Sequence, residues 1–105
     1  MLENLEAALK ATGLQFTAYA WSEAPVGDYG VFGMDGENDL SADDKHAEKA
    51  TEGTVDYFTR HAPAAAVAAI EGALEGVEGC AWYLNSMQFE SDTGYLHIEW
   101  VVQVA

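Results

Sequence analysis

The residues of this chain that could do chemistry are few and widely spaced. The segment 35–39, Asp-Gly-Glu-Asn-Asp, places three carboxylates in a short run of the kind that binds calcium. A calcium loop of the EF-hand type has glycine at its sixth position and glutamate at its twelfth, where this chain has Leu40 and His46. We therefore interpret the segment as a solvated acidic loop without a bound metal.

Histidine and cysteine, the other common metal ligands and nucleophiles, have no spacing that indicates a site. His46, His61 and His97 lack the short separations typical of zinc sites, so they are interpreted as polar surface residues. The single cysteine, Cys80, cannot form an internal disulfide, and no histidine near it in sequence can act as its base. We expect Cys80 to be a small buried residue in a reducing compartment.

No cofactor and no enzyme activity are expected from the remaining motifs. The glycine-rich segment 72–76 falls within a helical pattern, and a phosphate-binding loop instead joins a strand to a helix. No segment approaches the roughly 18 apolar residues that a membrane span needs, and the acidic start is unlike a signal peptide. The expected location is therefore the cytoplasm, with no membrane partner.

The charge balance bears on nucleic-acid binding. The chain has 18 acidic and 4 basic residues among 105, which gives a net charge of −14. Proteins bind duplex DNA by placing clustered Lys and Arg on its phosphates, and four scattered basic residues cannot form such a patch. Three interpretations of the acidic surface remain open: DNA slides past it without sticking, it imitates DNA, or it only keeps the protein soluble.

The elements that must position these residues follow from hydrophobic periodicity. Half of the residues are apolar, so a chain of this length should fold as one domain over residues 1–105. The predicted order is α-β-β-β-α-β-β, with one helix ending before Gly13, a second beginning after Pro63, and strands at 14–21, 29–34, 55–60, 80–90 and 95–104. This order predicts an α+β fold, in which two helices cover one face of a largely antiparallel or mixed sheet.

The predicted core lies between the sheet and the helices. Its expected members are large apolar residues at strand or helix spacing: Phe16, Val55, Ile70, Leu74, Leu96, Ile98, Trp100 and Val102. Residues 35–53 are predicted to form a long acidic loop, and loops of such length are usually functional or disordered. Trp21, on the polar side of its predicted strand, is a candidate interface anchor.

In this order of elements the chain resembles the tail terminator and tail completion proteins of long-tailed bacteriophages and prophages. The resemblance covers nearly the whole chain and is carried by five segments: Trp21 to Pro25, Tyr29 to Phe32, Ala42 to Lys45, Val55 to Thr59, and Ile70-Glu71 with Leu74. Two positions depart from the family pattern. Asp28 stands where a proline is expected, and Asp43-Asp44 stands in place of Asp-Asn.

The resemblance implies a structural protein that forms a ring, usually a hexamer, on the end of the tail tube. Such a ring stops tube polymerisation and joins the tail to the head connector, and its lumen continues the DNA channel. The free subunit is expected to be a monomer, with the tube protein, the connector and its own copies as partners. The expected interface residues are Trp21, Asp35, Glu37, Asp39, Asp43, Asp44 and Lys45. Another ring-forming neck protein and a DNA-mimic inhibitor of a defence nuclease are the alternatives.

Overall fold

The computed structural model describes residues 2–23, 25–39 and 49–105, and it confirms the predicted α+β fold and element order. The elements are α1 (Leu2–Ala11), β1 (Phe16–Ala18), β2 (Tyr29–Asp39), β3 (Lys49–Thr59), α2 (Ala64–Glu75), β4 (Cys80–Glu90) and β5 (Tyr95–Val104). The strands form one mixed sheet in the order β1-β2-β3-β5-β4. Only β1 runs parallel to its neighbour, and the other three pairs are antiparallel.

Both helices pack on one face of the sheet. Leu5 and Leu9 of α1, and Ile70 and Leu74 of α2, are fully buried, since residues four apart lie on the same side of a helix. They pack against sheet residues that alternate along each strand: Phe32, Val55, Tyr57, Ile98, Trp100 and Val102. All eight predicted core residues belong to this core, with Leu96 at its partly buried margin. The opposite face of the sheet carries no helix among the described residues.

The first strand is shorter than predicted. The alternating pattern predicts a strand over residues 14–21, but pairing stops at Ala18 because Tyr19 turns the chain with φ of +64°. The Tyr19 N–H still donates to the Phe32 carbonyl at 2.7 Å. The Phe16 ring lies against Gly30 and the Tyr19 ring against Gly33, where any Cβ would collide with them. Glycine at these two positions therefore lets both rings approach the β2 backbone closely.

The prediction of a loop over residues 35–53 is wrong at both ends. The β2–β3 pairing continues from Tyr29 opposite Phe58 to Asp39 opposite Lys49, with an irregularity between Met34 and Gly36. Residues 35–39 and 49–53 are therefore strand, and residues 40–48 lie outside the described residues. Intrinsic preference disfavours strands rich in Asp, Gly and Glu, but backbone pairing to a neighbouring strand overrides so weak a preference.

The last two strands match their predicted bounds and form a hairpin. The Gly94 N–H donates to the Glu90 carbonyl at 2.8 Å, and Gly94 adopts φ of +77°, a conformation that glycine takes without steric cost. In β5 the alternate residues from Leu96 to Val104 face the helices, as predicted. Within the described residues, no helix combines the length and the apolar character needed to cross a membrane.

Candidate functional site

Most of the exposed large hydrophobic side chains of the described structure lie on the edge strand β4. Leu84, Met87 and Phe89 are 42, 45 and 67% exposed, and we call these three residues the β4 strip. Their cross-strand partners are Trp100, Ile98 and Leu96, so the strip lies on the helix-covered side of the sheet. Helix α2 contacts β4 closer to its start, where the Trp82 indole donates to the Glu75 carboxylate at 2.9 Å.

A bulge brings the β4 strip onto one face. Strict alternation would put Leu84 and Met87 on opposite faces, because they are three residues apart. The register shifts between Leu84 and Ser86, which inserts one extra residue and restores a common direction for the two side chains. In the described part of the chain, no strand pairs with the outer edge of β4, so its backbone hydrogen-bonding groups face outward. An edge of this kind is a surface suited to protein association.

The helix-free face carries a row of aromatic rings across three strands. The Tyr29 ring stacks on Phe58 at 4.7 Å, and Phe58 stacks on the His97 imidazole at 4.3 Å. Tyr95 meets Tyr29 edge-on at 5.5 Å, and the Arg60 guanidinium lies 4.0 Å above the Tyr95 ring. Because the rings come from three neighbouring strands, their contacts support the register of β2, β3 and β5.

Next to this row lies a cluster of ionisable side chains. Asp56 of β3 is directly opposite Glu99 of β5, and His97 Nε2 is 2.7 Å from the Asp56 Oδ1. The other ring nitrogen of His97 lies 3.5 Å from Glu90 Oε2, and the Asn85 amide donates to Glu99 at 2.7 Å. Burial raises the pKa of the Asp56 carboxyl, and the hydrogen bonds from His97 and Thr54 offset only part of that effect.

Asp28 organises the end of the sheet near the second helix. Its carboxylate accepts hydrogen bonds from the Thr59 hydroxyl at 2.6 Å and the Arg60 N–H at 3.0 Å, and it lies 2.9 Å from His61 Nδ1. Burial alone would raise the pKa of Asp28, but these three contacts outweigh it and hold the pKa below its ordinary value. A proline at this position could not accept these bonds, so the departure from the family pattern has a structural role.

Cys80 lies half-buried at the start of β4. Burial raises the pKa of its thiol, and the nearby Glu75 carboxylate adds to that shift. A raised pKa reduces the thiolate fraction, which is the reactive form of cysteine. Cys80 borders the core cluster and is only partly buried, so the prediction of a buried residue is met in part.

The predicted interface residues do not form one cluster in the described structure. The Trp21 indole donates to the Gly30 carbonyl at 3.1 Å and so holds the connection that precedes β2. Asp35 is exposed at the irregularity of β2. It lies about 16 Å along the strand from Gly30, the residue that Trp21 contacts. Glu37 and Asp39 lie in the last part of β2, opposite Thr51 and Lys49. Asp43, Asp44 and Lys45 lie outside the described residues.

Sequence reasoning missed both the β4 strip and the Asp56–His97–Glu99 cluster. The alternating pattern of residues 80–90 contains no sign of the bulge, which alone brings Leu84 and Met87 together. Asp56 and His97 are 41 positions apart, so no local motif could connect them. The one available signal was the matching polar alternation of β3 and β5, which puts Asp56, His97 and Glu99 on a shared face once the strands are paired.

Comparison with known proteins gives a likeness in structure. No protein-family model matches the chain, and no curated protein matches it either. Among solved structures, the chain is similar to a chain from the virion of a native gene transfer agent particle, with a TM-score of 0.58 and 18% sequence identity. The match covers 97% of this chain and 87% of that chain. At this identity the likeness shows a shared fold.

Proposed function

We propose that this protein is a structural component of a phage-like particle, where it forms a ring on the end of the tail tube. The ring stops tube polymerisation and joins the tail to the head. The observation that carries the proposal is the fold shared with a gene transfer agent virion chain over 97% of the present chain. The sequence resemblance to tail terminators supports the same role, and neither observation involves an enzymatic function.

The sheet has two unlike edges, which suits a ring. At one edge, β4 is eleven residues long and carries the exposed β4 strip. At the other, β1 is three residues long, and most of β2 extends beyond it. Contacts between unlike surfaces of identical subunits are heterologous, and they close into rings when the rotation between subunits permits. In the proposed ring, the β4 strip of one copy therefore contacts the β1–β2 edge of the next.

The charge distribution fits a channel through which DNA passes without being held. Of the basic side chains that the structure describes, Lys10 pairs with Glu6 at 3.3 Å, and the Arg60 guanidinium donates to the Thr93 carbonyl at 2.7 Å. Lys10 and Arg60 therefore do not form a basic patch that could contact successive phosphates. Repulsion between subunits of charge −14 also favours a free monomer until a tube end templates the ring. Assembly would then occur in the host cytoplasm, with the protein ending in the virion neck.

The helix-free face of the sheet argues against the alternative function, a protein that imitates DNA. Four carboxylates of the described residues lie there, and each is engaged by a neighbouring side chain. Glu52 accepts from Gln103 and Glu99 from Asn85, while Asp56 and Glu90 both contact His97. Carboxylates that imitate phosphates must instead be free to contact a basic partner.

The proposed function is tested by deleting the gene and examining particles by electron microscopy. A tail terminator predicts tails of abnormal length and heads without tails, and purified protein added to growing tubes should arrest them at one ring per tube. Tails of normal length with unjoined heads would assign the protein to another neck component instead. Normal particles and normal infectivity would overturn the structural role, and tight binding to a nuclease would then favour the mimic.

A further inference from the structure

The cluster on the helix-free face has the composition of a metal site. Asp56, His97 and Glu99 each offer one ligand atom, and these atoms lie within 4.8 Å of one another. They come from the adjacent strands β3 and β5, with Asp56 directly opposite Glu99 and His97 two residues before Glu99 on the same face. Among the described residues, this is the one group of three such side chains that could meet at a single ion.

The surrounding side chains already orient the candidate ligands. The His97 ring is stacked on Phe58 at 4.3 Å, which fixes its plane, and Nδ1 faces Glu90 at 3.5 Å. This leaves Nε2 directed at Asp56, while Asn85 holds one oxygen of Glu99. Histidine ligands at metal sites commonly place their second nitrogen on a carboxylate in the same way, and ligating carboxylates are themselves hydrogen-bonded.

The electrostatics of the cluster also favour a cation. Two carboxylates directly opposite each other on neighbouring strands repel, and such pairs are destabilising. Glu90 adds a third carboxylate beside His97. Of the basic side chains that the structure describes, Arg60 contacts Thr93 and Tyr95, and Lys10 pairs with Glu6. Neither of these two side chains neutralises the carboxylates of the cluster. A divalent ion between the carboxylates would replace repulsion by attraction.

We propose that Asp56, His97 and Glu99 bind a divalent transition-metal ion, with Zn²⁺ as the best match and water completing the coordination. One imidazole nitrogen and two carboxylate oxygens suit Zn²⁺, whereas Mg²⁺ and Ca²⁺ prefer oxygen ligands alone. Two ligands bonded to one tetrahedral zinc ion lie roughly 3.3 Å apart. His97 Nε2 and Asp56 Oδ1, now at 2.7 Å, therefore need to separate only by a small side-chain rotation. This inference is independent of the ring proposed above.

The test is calorimetric titration of tag-free, chelator-treated protein with Zn²⁺, and separately with Mg²⁺. We expect one equivalent of Zn²⁺ to bind, with no comparable binding of Mg²⁺. His97→Gln and Glu99→Gln should each weaken zinc affinity at least about tenfold, and Glu90→Gln should weaken it by a smaller factor. Circular dichroism of each variant checks the fold. If His97→Gln does not fold, the zinc affinity of Glu99→Gln, at a half-exposed position, tests whether the cluster binds zinc.

Two matched controls separate this site from incidental histidine binding. His61 also contacts a carboxylate, Asp28, at 2.9 Å, but its side chain is 77% exposed and it belongs to no three-ligand group within residues 2–23, 25–39 and 49–105. His61→Gln and His46→Gln should therefore leave zinc affinity unchanged. Absence of zinc binding, or affinity that survives in folded His97→Gln and Glu99→Gln, would overturn the proposal. Loss of zinc binding in either control variant would also overturn it. None of these results tests the proposed role in tail assembly.

Discussion

The indole N–H of Trp100 donates a hydrogen bond of 3.0 Å to the Glu71 carboxylate, and so joins the middle of β5 to α2 through the core. Trp100 is fully buried, and Glu71 immediately follows the equally buried Ile70. A parallel contact joins Trp82 of the edge strand to Glu75, one helical turn later, but it is exposed to solvent. The two pairs have the same chemistry in different environments, which makes them a natural comparison.

Truncation of Trp100 should therefore be far more costly than truncation of Trp82. Trp100→Ala removes the largest side chain of the core and should lower the free energy of unfolding by about 3–5 kcal/mol. That is much of the roughly 5–15 kcal/mol that a small domain has. Urea denaturation followed by circular dichroism measures the change. A Trp100→Ala protein as stable as Trp82→Ala would contradict the assignment of Trp100 to the centre of the core.

The glutamate partners give a second comparison. Glu71→Ala leaves the buried indole N–H of Trp100 without an acceptor and should cost about 1–3 kcal/mol. Glu75→Ala leaves an N–H that water can satisfy, so its cost should stay within about 0.5 kcal/mol. The same denaturation experiment measures both variants. Equal effects would show that the Trp100 indole finds another acceptor.

We expect that position 30 must be glycine, because the ring of Phe16 leaves no room for a larger residue there. A Cβ at this position would collide with that ring, because the ring fills the space above the β2 backbone. Gly30→Ala should thus destabilise the fold by about 1–3 kcal/mol. Phe16→Leu, which removes the ring, should make the Gly30→Ala substitution less costly in the double variant. Additive costs in a double-mutant cycle would argue against direct contact.

Asp28 should make stability depend on pH in the acidic range. Its pKa in the folded state is held below the ordinary value, so its ionised form stabilises the fold. That contribution is complete above the unfolded-state pKa, and it is lost as the pH falls through the lower folded-state pKa. At neutral pH, Asp28→Asn should cost about 1–2 kcal/mol, because the contacts with Thr59, Arg60 and His61 weaken.

The pH profile provides the check on Asp28. The difference in unfolding free energy between wild type and Asp28→Asn should be present at neutral pH and shrink below about pH 4. Asp92→Asn, at an exposed position in the β4–β5 turn, is the matched control and should leave the profile unchanged. A difference that stays constant at low pH would exclude the ionised Asp28 carboxylate as its source.

The β4 strip should matter for assembly and little for folding. Phe89→Lys introduces a charge on a side chain that is 67% exposed, so the monomer should retain its stability within about 0.5 kcal/mol. In the proposed ring, the same change buries an unpaired charge and should abolish tube capping. Tyr83→Lys, on the opposite face of the same strand, is the control. Normal capping by Phe89→Lys would remove the β4 strip from the proposed interface.

The order of elements, the members of the core and the bounds of β4 and β5 could all be predicted from the amino-acid sequence. These features depend on local periodicity, which strand alternation and helical spacing record directly in the chain. The resemblance to tail terminators is a hypothesis that rests on the sequence.

Contacts between residues far apart in the chain depend on the packing of the folded protein and could not be predicted. Pairing to β3 converted Asp35 to Asp39 from an expected loop into strand, because backbone hydrogen bonds to a neighbouring strand outweigh the weak preferences of single residues. A bulge near Asn85 placed Leu84 and Met87 on one face, and the β3–β5 register brought Asp56 to His97 and Glu99. Bulges and registers are set by the packing of whole strands, so local sequence patterns do not specify them.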